Sequence, residues 1–104
     1  GREPAAQEDI GRHLELAGDV RGAARRYRRA ADHARINFFN DKAIALYGHA
    51  LECLGQADQA ARIHLWHDLG SVYELKGDYD AAIGGFERML RLSWICASRT
   101  KAAV

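Results

Sequence analysis

His64, His67 and Asp68 stand at i, i+3 and i+4, a spacing that puts ligand-capable side chains on one side of a helix. Two such ligands would begin a transition-metal site, but no third or fourth follows at a convincing spacing. His33 and His49 lie in other segments with no signature around them. The pair is therefore read as structural or partner-facing, and no metal is expected. Asp78 and Asp80 briefly imitate a calcium loop, which fails at Ala82 and Ile83, where an oxygen ligand and the turn glycine belong. A Gly-rich phosphate cradle, a nucleophile elbow and a Ser-His-Asp arrangement are all missing, so no catalytic residue, cofactor or enzymatic activity is expected. Cys53 and Cys96 belong to no Cys-x-x-Cys pair and sit in apolar company, which reads as reduced packing residues of a cytoplasmic protein.

Charge supplies the next candidates. Arg25, Arg28, Asp32 and Arg35 are spaced i, i+3, i+7 and i+10 and fall on one helical stripe. His64, His67, Ser71 and Glu74 make a second stripe of the same kind. Side by side, the two would line a groove that is basic on one wall and titratable on the other. Arginine offers a planar fork of donors that matches a carboxylate, so an acidic segment of a protein partner would fit there. The structural alternative is that these are solvated charges on an Ala-rich helix. RRYRR at 25–29 raises nucleic acid as a rival, through phosphate contact and base stacking. Against it, Tyr27 is needed for packing, and fifteen Lys and Arg against fourteen Asp and Glu leave a net charge of only +1.

These residues need elements to position them. The chain has 104 residues, one domain's worth, and a single Pro at position 4. Its body is rich in Ala, Leu and Arg, which lose little entropy in a helix. Gly18-Asp19, Asn37 to Asp41, Gly55 to Asp58 and Gly77-Asp78 punctuate it, each able to turn the chain or cap a helix. The pattern predicts helices over about 5–17, 19–36, 40–54, 57–76 and 79–95, with a further stub from about 98. Short connections make neighbouring helices antiparallel. Apolar runs are far too short to cross a bilayer, so no membrane partner is expected.

From Trp66 the chain reads W-x2-L-G-x2-Y, with Leu69, Gly70 and Tyr73, followed by Gly77, Ala82 and Phe86. This resembles the tetratricopeptide repeat, whose pattern W-x2-L-G-x2-Y…A-x3-F…P recurs at a fixed period. It departs from that pattern at Met89, where a small residue is usual, and at Trp94, where Pro is common. The resemblance implies a right-handed, all-α solenoid of antiparallel hairpins whose small residues let paired helices approach. It also implies a protein-interaction scaffold without catalysis.

A weaker copy lies upstream, with Tyr27, Ala30, Ala31 and Ala34 at the first-helix spacings and Ala43, Tyr47 and Ala50 at the second-helix spacings. The expected division is a capping helix and turn at 5–23, repeats at 24–57 and 63–96, and the start of a cut-off helix at 97–104. GDVRGAARRYRRA at 18–30 is echoed by GDYDAAIGGFERM at 77–89. Under this division the echo is a local similarity of turns. The alternative pairs helices one and two as a hairpin and makes helix three an irregular insert. HLELAGDVRGAARRYRRAADHA followed by KAIALYGHAL is also similar to repeat regions of large bacterial signalling proteins that carry an ATPase, kinase or cyclase module. That implies a piece of a longer cytoplasmic signalling chain, with an open end near Trp94 and Ile95 through which copies could dimerise.

Overall fold

The computed structural model describes the backbone of residues 2–103 and the side chains of residues 5–99. Among the described residues the chain forms five helices and no strand: α1 (Arg2–Leu16), α2 (Val20–Ile36), α3 (Asn40–Leu54), α4 (Gln59–Lys76) and α5 (Tyr79–Ala103). The predicted helices fall on these within a few residues, except at the C-terminal end. The break expected before residue 98 does not occur, and α5 continues to Ala103. No Gly, Pro or Asn stands between Ile95 and Ser98 to stop it, and Trp94 occupies the position where a Pro would have. Residue 104, the last of the expected stub, lies outside the described residues.

The starts of α2, α4 and α5 are capped by carboxylates, whereas Phe39 at the start of α3 makes no side-chain cap bond. Asp19 accepts from Gly22 N at 2.9 Å, Asp58 from Ala61 N at 3.1 Å, and Asp78 from Ala81 N at 3.2 Å. Asp41 lies inside the first turn of α3, favourably placed for the helix dipole, and its carboxylate meets Lys76 at 2.6 Å.

Consecutive helices pack antiparallel, and α2 packs closely against both α1 and α3, as α4 does against α5. The step from α3 to α4 is looser. Polar links run between helices two apart: Lys42 to Glu8 and His49 to Glu15 join α3 to α1, and Arg28 to Asp68 joins α2 to α4. Two layers result, α1 and α3 in one and α2 and α4 in the other. The Cα envelope of 47 × 36 × 16 Å has the thickness of two stacked helices. The two α1–α3 links, from 8 to 42 and from 15 to 49, have the same sequence separation, which is the period of the repeat pattern.

The core is made largely of small side chains: Ala23, Ala24, Ala30, Ala31 and Ala34 on α2, and Ala43 and Ala50 on α3. Tyr47, Leu65 and Val72 are the largest side chains wholly enclosed. Tyr27, Leu69 and Ala82 are buried with them, and Trp66, Tyr73 and Phe86 are half-buried around the edge. Small residues let helix backbones come close, so more dispersion contacts form per turn.

The crossing of α4 and α5 is the tightest. A Cβ placed on Gly70 would lie 2.9 Å from the Phe86 ring and 3.3 Å from the Ala82 carbonyl oxygen. Gly85, which the sequence reading passed over, brings its backbone against Gly70 from the other side.

A related contact, against a ring alone, occurs at α1 and α2. A Cβ on Gly11 would lie 3.1 Å from the Tyr27 ring. Gly18 and Gly77 both adopt positive φ, +86° and +89°. Behind each, the next Asp N–H bonds back to a carbonyl in the preceding turn, Asp19 to Leu14 at 2.9 Å and Asp78 to Tyr73 at 2.9 Å. Gly11, Gly18, Ala23 and Tyr27 correspond in turn to Gly70, Gly77, Ala82 and Phe86, every pair separated by the same stretch of chain. The echo is thus a structural equivalence, not the local likeness of turns expected from the sequence, and α2 serves as a hairpin partner on both sides.

Candidate partner-binding site

The polar face of α2 follows from its apolar stripe: with Ala23, Tyr27, Ala30 and Ala34 buried, Arg25, Arg28, Asp32 and Arg35 turn toward solvent and toward α4. Asp68 on α4 points into that space and is only 8% exposed. Arg28 donates to its Oδ2 from Nε at 3.1 Å and lies 3.0 Å away through Nη2. Arg35 Nη1 stands 3.8 Å from Asp68 Oδ1, and Arg35 Nη2 stands 3.8 Å from Asp32. His67 Nδ1 lies 3.4 Å from the same Asp68 oxygen. Tyr47 donates its hydroxyl proton to Asp32. Burial first, and then that bond to Asp32, hold the Tyr47 phenol well above the usual tyrosine range.

Three of the eight expected groove residues, Arg28, Arg35 and His67, therefore gather around one internal carboxylate, and a fourth, Asp32, joins them through Arg35. The arginine forks do bind carboxylates, but those of Asp68 and Asp32, so their first role is to fasten α2 to α4. In the sequence Asp68 stands only as a neighbour of a candidate metal pair; its offset from the His64 stripe turns it toward α2. Ser71 donates to the His67 carbonyl at 3.0 Å, closing on its own helix. His64 and Glu74 are exposed. Among the described residues neither they nor Arg25 makes an ion pair.

Arg25 belongs to a different feature. With Arg21, Arg28 and Asp58 it rims a pocket of about 280 Å³ floored by Ala24, Leu54, Ala61 and Leu65, where α2, α3 and α4 meet. Arg21 and Arg25 are exposed, and neither has an ionic partner among the described residues. Arg21 was missed because it lies one turn ahead of the stripe, next to the capping Asp19. The pocket lies beside the turn between α3 and α4, where Gly55 caps the end of α3 and Asp58, at φ +52°, caps the start of α4.

Tyr27, the aromatic of RRYRR, is only 6% exposed, with its ring against Gly11. No aromatic in that cluster is free to stack on a base. On the outer side of α5, Tyr79, Ile83, Leu90 and Trp94 are exposed at offsets of 4, 7 and 4, one apolar stripe along the helix. No described helix is long and apolar enough to cross a membrane.

This architecture is that of an all-α, TPR-like helical repeat. Residues 65–93, most of α4 and the first half of α5, match the family model of the tetratricopeptide repeat. The matched span holds the Gly70–Phe86 crossing and the Gly77 turn. No curated protein matches the chain. Repeats of this family generally mediate protein–protein interaction and are generally non-catalytic, the function class that the match supports.

Proposed function

We propose that the chain is a scaffold that takes an acidic segment of a protein partner, with one carboxylate held between Arg21 and Arg25. Its aliphatic stem would rest on Ala24, Leu54, Ala61 and Leu65. The observation that carries this reading is the pair of uncommitted guanidinium groups at the mouth of an apolar pocket. An anion brought there meets two forked donors beside a low-dielectric floor, where charge-assisted hydrogen bonds are strongest. Arg28, already bound to Asp68, shapes the wall. The division into repeats at 24–57 and 63–96 belongs to this reading, with 5–23 as a capping helix and turn. So does a place within a larger cytoplasmic signalling protein of a bacterium, which the likeness of residues 13–34 and 42–51 to such proteins supports. The apolar stripe on α5 supports a second contact, with a neighbouring repeat or a second copy.

The test is titration of a labelled peptide carrying Glu between apolar residues, at low and high salt. Arg21→Glu with Arg25→Glu is expected to weaken binding by tenfold or more and to leave the melting temperature unchanged, because neither side chain is tied into the fold. Salt should weaken the wild-type complex. Undiminished affinity in the double variant would remove this pocket from the binding surface. Tighter binding of DNA than of peptide, with a steep salt slope, would favour the nucleic-acid alternative instead.

A further inference from the structure

We propose that Glu15, His49 and Cys53 form a binding site for a divalent transition-metal cation of the zinc class, bridging α1 and α3. One ligand atom from each, a carboxylate oxygen, an imidazole nitrogen and the sulfur, lies within 4.8 Å of the others. Ligands at zinc distances in a tetrahedron are roughly 3.5 Å apart, so closing on an ion needs only small side-chain rotations. His49 and Cys53 are i and i+4 on α3, the spacing by which one helical face supplies two ligands. Glu15 comes from the last turns of α1, placed opposite by the one-repeat offset between the two helices.

Tyr27 gives this trio its order. Its hydroxyl donates to Glu15 Oε1 at 2.9 Å, and His49 Nε2 stands 3.0 Å from the same oxygen. The His49 ring meets the Tyr27 ring edge-on, with centroids 4.4 Å apart and planes at 75°. A buried phenol thus orients two of the three ligands, as the outer partners of metal ligands do. Glu15 and His49 are 40% and 41% exposed, which gives an ion a way in and leaves room for water as a fourth ligand.

The donor set decides the metal. A thiolate and an imidazole suit zinc and its neighbours, whereas calcium and magnesium call for oxygen alone. Cys53 binds the ion as the thiolate. A bound dication supplies the opposing charge, and the thiol proton passes to solvent.

The experiment uses the full chain without a histidine tag, titrated with zinc by calorimetry and with cobalt(II) by absorption. One zinc per chain is expected, with a rise in melting temperature. Cys53→Ser and His49→Gln should each weaken zinc by tenfold or more, and Cys96→Ser should not. Tyr27→Phe keeps the ring but frees Glu15, and should cost about tenfold in affinity. Cobalt should give a thiolate-to-metal charge-transfer band in the wild type and in Cys96→Ser, absent in Cys53→Ser. Zinc affinity unaltered by Cys53→Ser, or a wild-type cobalt complex without the thiolate band, would overturn the site. Since the wild-type spectrum needs no variant, a misfolded substitution cannot shelter the proposal.

Discussion

Arg28 meets a single oxygen of Asp68 with two of its nitrogens, Nε at 3.1 Å and Nη2 at 3.0 Å, and so joins α2 to α4 across the intervening helix. The carboxylate is nearly enclosed, while the guanidinium stem runs out toward solvent. Removing the cation leaves the buried Asp68 with His67 Nδ1 at 3.4 Å and Arg35 at 3.8 Å, neither in the two-nitrogen contact that Arg28 makes. Such orphaned charges cost about 3–5 kcal/mol when both partners are deep; partial exposure of Arg28 brings the expectation for Arg28→Ala to about 2 kcal/mol. Urea unfolding checks it, with Arg21→Ala as the exposed control near zero. Adding Asp68→Asn to Arg28→Ala should recover part of the loss, since the neutral amide no longer needs the cation. An Arg28→Ala variant as stable as its parent would mean that the ion pair does not hold the two helices.

The glycines divide by what surrounds them. Gly70→Ala puts a methyl 2.9 Å from Phe86 and 3.3 Å from a backbone oxygen, and Gly85→Ala meets only backbone, at 3.2 to 3.3 Å. Alanine gains about 1 kcal/mol of helix propensity over glycine, yet overpacking costs about 1–3 kcal/mol, so both variants should lose about 1 kcal/mol net. Gly48, mid-helix with nothing within 4 Å, should gain about 0.5–1 kcal/mol on the same change. Thermal melts of the three variants test the assignment together. Equal shifts in all three would show that α4 and α5 are not in close approach at Gly70 and Gly85.

The helices and the α4–α5 hairpin were legible because their signals are local: Gly77 with Asp78, and Trp66 through Phe86 at fixed offsets. The role of α2 was not. Its small residues satisfy first-helix and second-helix spacings alike, and one sequence cannot say which flank is covered. Gly11 was the missing sign: it stands to Gly70 as Gly18 stands to Gly77, and so extends that echo into a packing contact with Tyr27. The Arg28 stripe carries forks suited to a carboxylate, but spacing along α2 says nothing of an Asp68 facing it from α4. Glu15, His49 and Cys53 were hidden for the same reason, since the α1–α3 juxtaposition appears only once the one-repeat offset between those helices is known.

Tyr47 makes stability depend on alkaline pH. Its phenol is held above the ordinary value of 10.0 by burial, then by its bond to Asp32. Below about pH 10 both folded and unfolded chains keep this proton, and the contribution is fully present. As pH rises past that point the unfolded phenol ionises while the native one does not. The unfolded state then binds fewer protons, so stability falls with pH, by up to about 1.4 kcal/mol per unit from this one group. Urea melts from pH 8 to 11 should show a decline that steepens near 10, where Tyr47 joins the raised Cys53 thiol and Tyr27 phenol. Tyr47→Phe should be less stable at pH 8, through the lost bond, yet flatter above pH 10. A Tyr47→Phe profile as steep as the wild type would place the alkaline sensitivity in another residue and leave the Tyr47–Asp32 bond without measurable weight.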